Sequence, residues 1–291
     1  MIPALPAEAF KAIADLLRNR SGLVITPDQA YLLETRLAPI VRRQGLPEGL
    51  PGFSALADRL GIGKSTVLVD EVVEAMTTNE TLFFRDVTPF EVLATRVLPR
   101  LVRTRPIDAP IRIWSAAAAS GQEAYSVAMI IAESGPAIRP ERFEIIGTDI
   151  AREPLARARR GLYSQFEVER GLTDAMRARH FRQEADGWRI NPALRRAVTF
   201  REWNLLSDPR PLGRFDVILC RNVLIYFDHP TKARVLRAVA GQMVPDAVLY
   251  LGGAETVLGL TDRLSPAADL PCAFALCNAA EMVTGSANVG R

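Results

Sequence analysis

The spacing of apolar residues changes character along the chain. Before residue 76 they recur at intervals of three and four: Phe10, Ile13, Leu16 and Leu17, then Leu33, Leu37, Ile40 and Val41. That period predicts amphipathic helices packed as a small bundle. Gly22 stops the first helix, and Thr26-Pro27-Asp28 carries helix-start signals for a second over 30–43. After a break at 45–52 that holds Pro47 and Pro51, further helices are expected over 53–60 and 65–76. Past residue 110 the pattern becomes that of strands alternating with helices. Strands are expected at 111–115, 143–149, 198–203, 215–220, 248–251 and 274–277, and helices at 122–133 and 151–160, the latter closed by Gly161. This alternation predicts a mostly parallel sheet covered on both faces, with ligands at the carboxyl ends of the strands.

The remaining stretches follow from local signals. Residues 87–105 read as a helix with Pro99 near its end, 163–180 as polar helix, and 181–190 as a hairpin turning at Asp186-Gly187. The tail at 285–291 is expected to be loose. Residues 77–86, Thr-Thr-Asn-Glu-Thr-Leu-Phe-Phe-Arg-Asp, fit neither period. They read as a linker with polar groups to offer, although Phe83 and Phe84 anchoring it and Thr or Asn capping the next helix would also explain the stretch.

The first strand runs into Ala116, Ala117, Ala118, Ala119, Ser120 and Gly121, with no side chain larger than serine. Such a loop lets backbone amides approach a ligand beside a helix start; a crowded strand–helix crossing accounts for it equally well by itself. The second strand ends at Asp149, where a nucleotide fold places the acid that accepts from a ribose diol. The loop lacks the spaced glycines of a dinucleotide fingerprint, which favours a ligand without a pyrophosphate. Further strand ends carry Asn204-Leu205 and Arg221-Asn222, with Tyr226 a turn beyond.

Composition narrows the class. A chain of 291 residues, 48% hydrophobic, suits one large domain and a small one. A net charge of +3 is too balanced to argue for nucleic-acid binding. Basic residues outnumber acidic ones locally, over 11–43 and 152–182, as solvated faces or as docking surfaces for an acidic partner. No signal peptide and no run of about 18 apolar residues is evident, so a soluble cytoplasmic protein without membrane insertion is expected. Cys220, Cys272, Cys277, His180 and His229 show no metal-ligand spacing, so reduced thiols and no metal are expected.

The motifs Thr77-Thr78-Asn79 with Thr81 and Phe83-Phe84-Arg85, Trp114-Ser115-Ala116-Ala117 leading to Ser120-Gly121-Gln122-Glu123-Ala124-Tyr125-Ser126, Thr148-Asp149-Ile150, Asn204-Leu205-Leu206, and Phe215-Asp216 through Cys220-Arg221-Asn222 to Tyr226-Phe227 stand in this order along the chain. In that order they resemble the CheR-type chemoreceptor glutamate methyltransferases, which use S-adenosylmethionine. The resemblance implies an α/β fold: a Rossmann-like methyltransferase domain over 91–291 with a short hairpin subdomain near 181–198, a small all-helical N-terminal domain over 1–76 that docks the receptor, and a linker over 77–90 that closes over the cofactor. It further implies cofactor contacts from Asn79, Thr81, Arg85, Glu123, Asp149, Asn204, Leu205, Arg221 and Asn222, with Asn204 and Leu205 bordering the adenine. Arg85 and Tyr226 are the expected catalytic residues, Arg36, Arg42 and Arg43 the expected docking residues, and S-adenosylhomocysteine the expected product.

A glutamate acceptor is ionised at neutral pH, so the reaction needs alignment and dehydration rather than a general base. Arg85 would pair with the cofactor carboxylate in preference to the acceptor. Three departures carry expectations of their own. Ala118-Ala119-Ser120 stands where the family often has Ser-Thr, a change expected to alter packing more than chemistry. Gly252-Gly253-Ala254-Glu255 stands where Gly-His-Ser-Glu is common, so a polar contact there is expected to be missing. The segment 181–198 is short and holds one glycine, so no tether to a receptor C-terminal pentapeptide is expected. The alternatives are an N-methyltransferase acting on protein or nucleic acid, since Asn222 and Tyr226 resemble an Asn-Pro-Pro-Tyr signature without its prolines, and an inactive cofactor-binding regulatory module.

Overall fold

Pro99 shapes the entry into the sheet-bearing part of the protein. The computed structural model describes residues 6–62, 66–136 and 138–277, and the tail expected at 285–291 lies outside them. By contacts the fold divides into two compact units, one of residues up to 78 together with 226–231, the other of residues 79–225 and those from 232 onward.

The first unit is helical. Helix α1 (Ala7–Ser21) buries Ala9, Ile13 and Leu17 and ends at Gly22, whose φ of 81° suits the left-handed cap. A Cβ there would meet Thr231 Cγ2 at 3.0 Å and the Phe227 ring at 3.1 Å, so glycine is required on two grounds. Thr26 N donates to Gln29 Oε1 at 3.2 Å before helix α2 (Ala30–Arg43), which buries Leu33, Leu37, Ile40 and Val41. Helix α3 (Leu50–Ile62) starts earlier than expected, because Pro51 falls in its first turn, where a missing N–H costs little. Helix α4 (Thr66–Met76) buries Leu68, Val69, Val72, Val73 and Met76. Residues 226–231 join this unit through a Leu23–Phe227 bridge and a Val24 N to Tyr226 O hydrogen bond of 3.0 Å.

The second unit begins with the linker and then α5 (Thr88–Val92), a π turn (Leu93–Val97) and α6 (Leu98–Thr104). The expected helix is thus present but widened just before Pro99, which lacks an N–H for the carbonyl of Thr95. Strands β1 (Ile111–Ala116) and β2 (Phe143–Asp149) follow, joined by α7 (Gln122–Glu133). After them come α8 (Arg152–Arg160), β3 (Leu162–Tyr163), α9 (Gln165–Glu169), α10 (Asp174–His180), β4 (Phe181–Glu184), β5 (Gly187–Ile190), α11 (Pro192–Ala197) and β6 (Val198–Glu202). The chain ends with β7 (Phe215–Cys220), α12 (His229–Gly241), β8 (Met243–Leu251), β9 (Leu264–Pro266) and β10 (Ala273–Leu276).

The large sheet has the order β6-β2-β1-β7-β8-β10-β9, parallel from β6 to β8 and antiparallel at β10 and β9. Ile113 of β1 pairs with Ile145 of β2 on one side and Val217 of β7 on the other. The chain winds outward from β1 through β2 to β6 and then crosses to β7. The strand order therefore reverses between β1 and β7, which opens a crevice at their carboxyl ends.

Two features depart from the expected pattern. The polar stretch 163–180 is broken rather than continuous: Ser164 Oγ accepts from Glu167 N at 3.3 Å and Thr173 Oγ1 from Met176 N at 3.2 Å, so each starts a separate short helix. Between them Gly171 has φ 93°, and a Cβ there would lie 1.9 Å from Phe83 O. The expected hairpin β4–β5 gains β3 as a third strand, in the order β3-β5-β4.

Candidate active site

The loop after β1 owes its form to small side chains. Ala117, Ala119 and Gly121 take φ of 59°, 46° and 93°, and a Cβ on Gly121 would sit 2.9 Å from both Ala158 Cβ and Phe200 Cζ. A Cβ on Gly147 of β2 would likewise lie 2.7 Å from the Phe200 ring. Packing therefore accounts for the glycines, while the alanines line a loop whose amides are ordered by hydrogen bonds. Ala118 N donates to Thr148 O at 2.8 Å. Asp149, 6% exposed, braces the loop: Oδ2 accepts from Ala119 N at 2.8 Å and Oδ1 from Ala151 N at 2.9 Å. An ionised carboxylate is acceptor-only, which matches the hydroxyl donors of a diol. Tyr163 Oη donates to Ser120 O at 2.8 Å and Tyr125 Oη to Ala158 O at 2.7 Å. Burial pushes both phenols up, which keeps them protonated as donors.

At the end of β7, Arg221 joins three segments. Nη1 donates to Glu123 Oε2 at 3.0 Å, and Nη2 donates to Asp86 Oδ2 at 2.8 Å and to Arg85 O at 2.7 Å. Its guanidinium lies 5.4 Å from the centre of the Phe90 ring, and its Nε is buried without a partner. Glu123 also accepts from Ser115 Oγ at 2.8 Å. Burial pushes the Glu123 carboxyl up, and Arg221 opposes the shift. The contacts of Arg221 and Glu123 among the described residues make them a tie between β7, α7 and the linker. Asn222, with φ 57°, donates its N–H to Glu255 Oε2 at 2.8 Å.

The linker is fastened at both phenylalanines. Phe83 is buried edge-on against Tyr163 at 5.1 Å and Phe181 at 5.4 Å, and Phe84 N donates to Ser126 Oγ at 3.0 Å. Phe84, Asp86 and Val87 take φ of 50°, 65° and 40°, a tight turn that presents Arg85 half-exposed. The Arg85 Nη1 donates to Glu80 O at 3.4 Å. Asn79 and Thr81 are half-buried on the same segment. On the far side of Asp149, Trp203 N donates to Asp149 O at 2.8 Å, which brings the half-buried Asn204 and Leu205 next to it. Asn204 Oδ1 accepts from Leu206 N at 2.9 Å, and Trp203 Nε1 is buried without a partner.

Tyr226 is half-buried at the end of a short turn (Leu224–Tyr226) and is grouped with the helical unit. In that unit Arg36 donates to Met76 O at 2.8 Å, Thr77 O at 3.1 Å and Thr78 Oγ1 at 3.2 Å, which caps the carbonyl end of α4. Arg43 pairs with Glu71 at 3.1 Å, and Arg42 is exposed.

Sequence reasoning missed Asp86 and Glu255 as members of this cluster. Glu255 was visible only as the last residue of a motif whose polar contact was expected to be missing, yet its carboxylate collects backbone N–H groups from two segments. The donor set fits a nucleoside bearing a cationic and a carboxylate group: Asp149 for a diol, Leu205 for an apolar base, Arg85 for a carboxylate, and the carboxylates of Asp86, Glu123 and Glu255 around the crevice. Arg221 Nε, at the end of β7, and Trp203 Nε1, just after β6, are buried donors without a partner. Among the described residues no His, Cys, Asp and Glu group could hold a metal, and no helix is long and apolar enough to cross a membrane.

Residues 79–269 match the family model for the CheR methyltransferase S-adenosylmethionine-binding domain. The chain is similar to a chemotaxis protein methyltransferase of Vibrio parahaemolyticus, 38% identical over 88% of this chain and 92% of that one. It is also similar to chemotaxis protein methyltransferase Cher2 of Pseudomonas putida, 36% identical over 87% and 92% of the two chains. Chemotaxis protein methyltransferase 1 of Pseudomonas aeruginosa is 37% identical over 87% and 92%.

Proposed function

The chain belongs to the CheR methyltransferase family, and from that premise we propose that it methylates glutamate side-chain carboxylates of chemoreceptors, forming methyl esters that adapt the sensory response. Its cofactor is S-adenosylmethionine, whose sulfonium supplies an electrophilic methyl group. The observation that carries the reading is the convergence of the small-residue loop, Asp149 and Arg221-Asn222 at the reversal between β1 and β7, inside the matched residues.

Each residue has a stated task in this reading. Asp149, a carboxylate at the end of β2, accepts from the ribose hydroxyls. Leu205 and Asn204 border the base. Arg85 grips the cofactor carboxylate by a forked pair, and Asn79 and Thr81 on the same linker help enclose the site. Arg221 and Glu123 hold the linker turn against β7, which excludes water from the crevice. Asn222 orients the acceptor carboxylate, which is already ionised and needs no base, and the Tyr226 hydroxyl is the further polar group assigned to catalysis. Because the barrier is then one of geometry, these residues act by alignment.

The acceptor lies in an acidic helical segment of a chemoreceptor on its cytoplasmic side, and the basic face of α2 with Arg36, Arg42 and Arg43 steers it in. Arg42 is the most available of the three, since Arg36 caps α4 and Arg43 pairs with Glu71. We infer that no pentapeptide tether is used, a reading supported by the short β4–β5 turn, in which Glu184 pairs with Gly187. A receptor-tail peptide bound at micromolar affinity or tighter would reverse that statement.

The test is incubation with methyl-labelled S-adenosylmethionine and receptor-containing membranes, followed by mild alkali. Label released as methanol identifies a carboxyl ester. Alkali-stable label would identify an amine product, and no transfer an inactive cofactor-binding module; either result refutes the proposal.

A further inference from the structure

The turn after β8 folds onto the end of β7. Glu255 Oε2 accepts from Asn222 N at 2.8 Å and from Gly252 N at 2.6 Å, while Oε1 accepts from Leu224 N at 2.7 Å and from Ile225 N at 3.3 Å. One carboxylate thus collects the N–H groups of Asn222, Leu224 and Ile225, and it does so where Asn222 adopts φ 57°, a left-handed conformation uncommon outside glycine that asparagine tolerates better than most residues. Gly252 completes the mould. A Cβ there would stand 2.6 Å from Asn222 Nδ2 and 2.8 Å from Asn222 N, so the asparagine side chain lies in space that only glycine leaves open.

The geometry points to Glu255 and Gly252 as positioning residues that set the orientation of Asn222 for methyl transfer. This rests on the reading of Asn222 as an acceptor-orienting residue. The carboxylate is suited to the task because it is acceptor-only when ionised and matches donors on both oxygens. Glutamine would replace one oxygen with an NH2 group facing backbone donors, and alanine would leave all those N–H groups without their acceptor. A role confined to general stability would not depend on Asn222, whereas a positioning role acts through it.

The test combines steady-state methylation, calorimetric binding of S-adenosylhomocysteine, and amide proton exchange at Asn222 and Leu224, on the full chain. For E255A and E255Q we expect faster exchange at both amides and a kcat lowered on the order of a hundredfold, as for a misplacement of about 1 Å, with Kd changed by less than about threefold. In the N222A background, E255A should lower the residual kcat by less than about threefold, since coupled residues are not additive. A kcat within about threefold of wild type, a Kd weakened as much as kcat, or a fully additive loss in the N222A background overturns the assignment. Should E255A fail to fold, G252A crowds Asn222 from the other side, and an unchanged kcat there overturns it as well. If the wild-type chain forms no methyl ester, the functional reading fails; unaltered exchange at Asn222 and Leu224 in E255A instead refutes the positioning itself.

Discussion

Arg221 and Asp86 form an ion pair of 2.8 Å in which the arginine side chain is 1% exposed and the aspartate 48%. The asymmetry separates their costs. Removing the arginine leaves Glu123, whose side chain is 12% exposed, with Ser115 Oγ at 2.8 Å but without the charge of Arg221 Nη1 at 3.0 Å. R221A should therefore destabilise the fold by about 3–5 kcal/mol, as breaking a buried pair does. D86N, at a half-exposed position, should cost about 1 kcal/mol or less. Urea denaturation of the two variants checks the ranking, and equal losses would contradict it.

Arg85 has its guanidinium half-exposed and few internal partners, so its loss should spare folding and fall on the cofactor. R85A is expected to weaken S-adenosylmethionine binding by about tenfold to a hundredfold, the worth of about 1.5–3 kcal/mol for a charged hydrogen-bonded contact. R85K should recover little, since a lysine cannot make the forked pair. Calorimetry decides the matter. An unchanged Kd with a reduced kcat would move Arg85 to the acceptor.

The helical unit offers a separate handle. R42E combined with R43E should slow receptor methylation through KM or the association rate, and the slowing should fade at high salt. Cofactor affinity should be unaffected. R36E is a different experiment, because it also removes the cap on α4. Unchanged methylation by the double variant would return this face to plain solvent exposure.

Glu133 predicts a pH effect. Its Oε1 lies 2.7 Å from His180 Nε2 and accepts from Arg179 Nη1 at 2.8 Å, tying the end of α7 to α10. Burial works to raise its pKa, but His180 and Arg179 prevail and hold it below the ordinary value of 4.5. The unfolded chain then takes up the proton first as pH falls. The contribution of Glu133 is complete above about pH 4.5 and is lost as pH drops through the lower folded value. The Tm gap between wild type and E133Q should be widest near neutrality and narrow below that pH. A gap constant from pH 7 to pH 3 would contradict the assignment.

Periodicity alone carried much of the architecture. The apolar stripe of Leu33, Leu37, Ile40 and Val41 faces the core of the helical unit, and the run 143–149 is a strand to the residue. These elements were legible because burial of one face dictates the residue pattern locally. The small-residue loop, Asp149 and Arg221-Asn222 were legible too, since each stands at the end of a recognisable strand. Gly171 illustrates the limit. Its neighbours read as polar helix, and only the closeness of Phe83 O to where its Cβ would be explains why the chain must turn there.

What the sequence determined by itself was the set of strand ends and the order in which they occur. It also determined the family resemblance through motifs that are contiguous along the chain. The tertiary structure alone decided which ends meet. Asp86, Arg221 and Glu123 are far apart in sequence, and their pairing depends on the reversal of strand order between β1 and β7 together with the turn that Phe83 anchors. Glu255 is the plainest case. Beyond its place at the end of the Gly252–Glu255 motif nothing local distinguishes it from a solvated surface acid, and its acceptor role exists only because β8 lies beside β7, which brings backbone donors of both segments to one carboxylate.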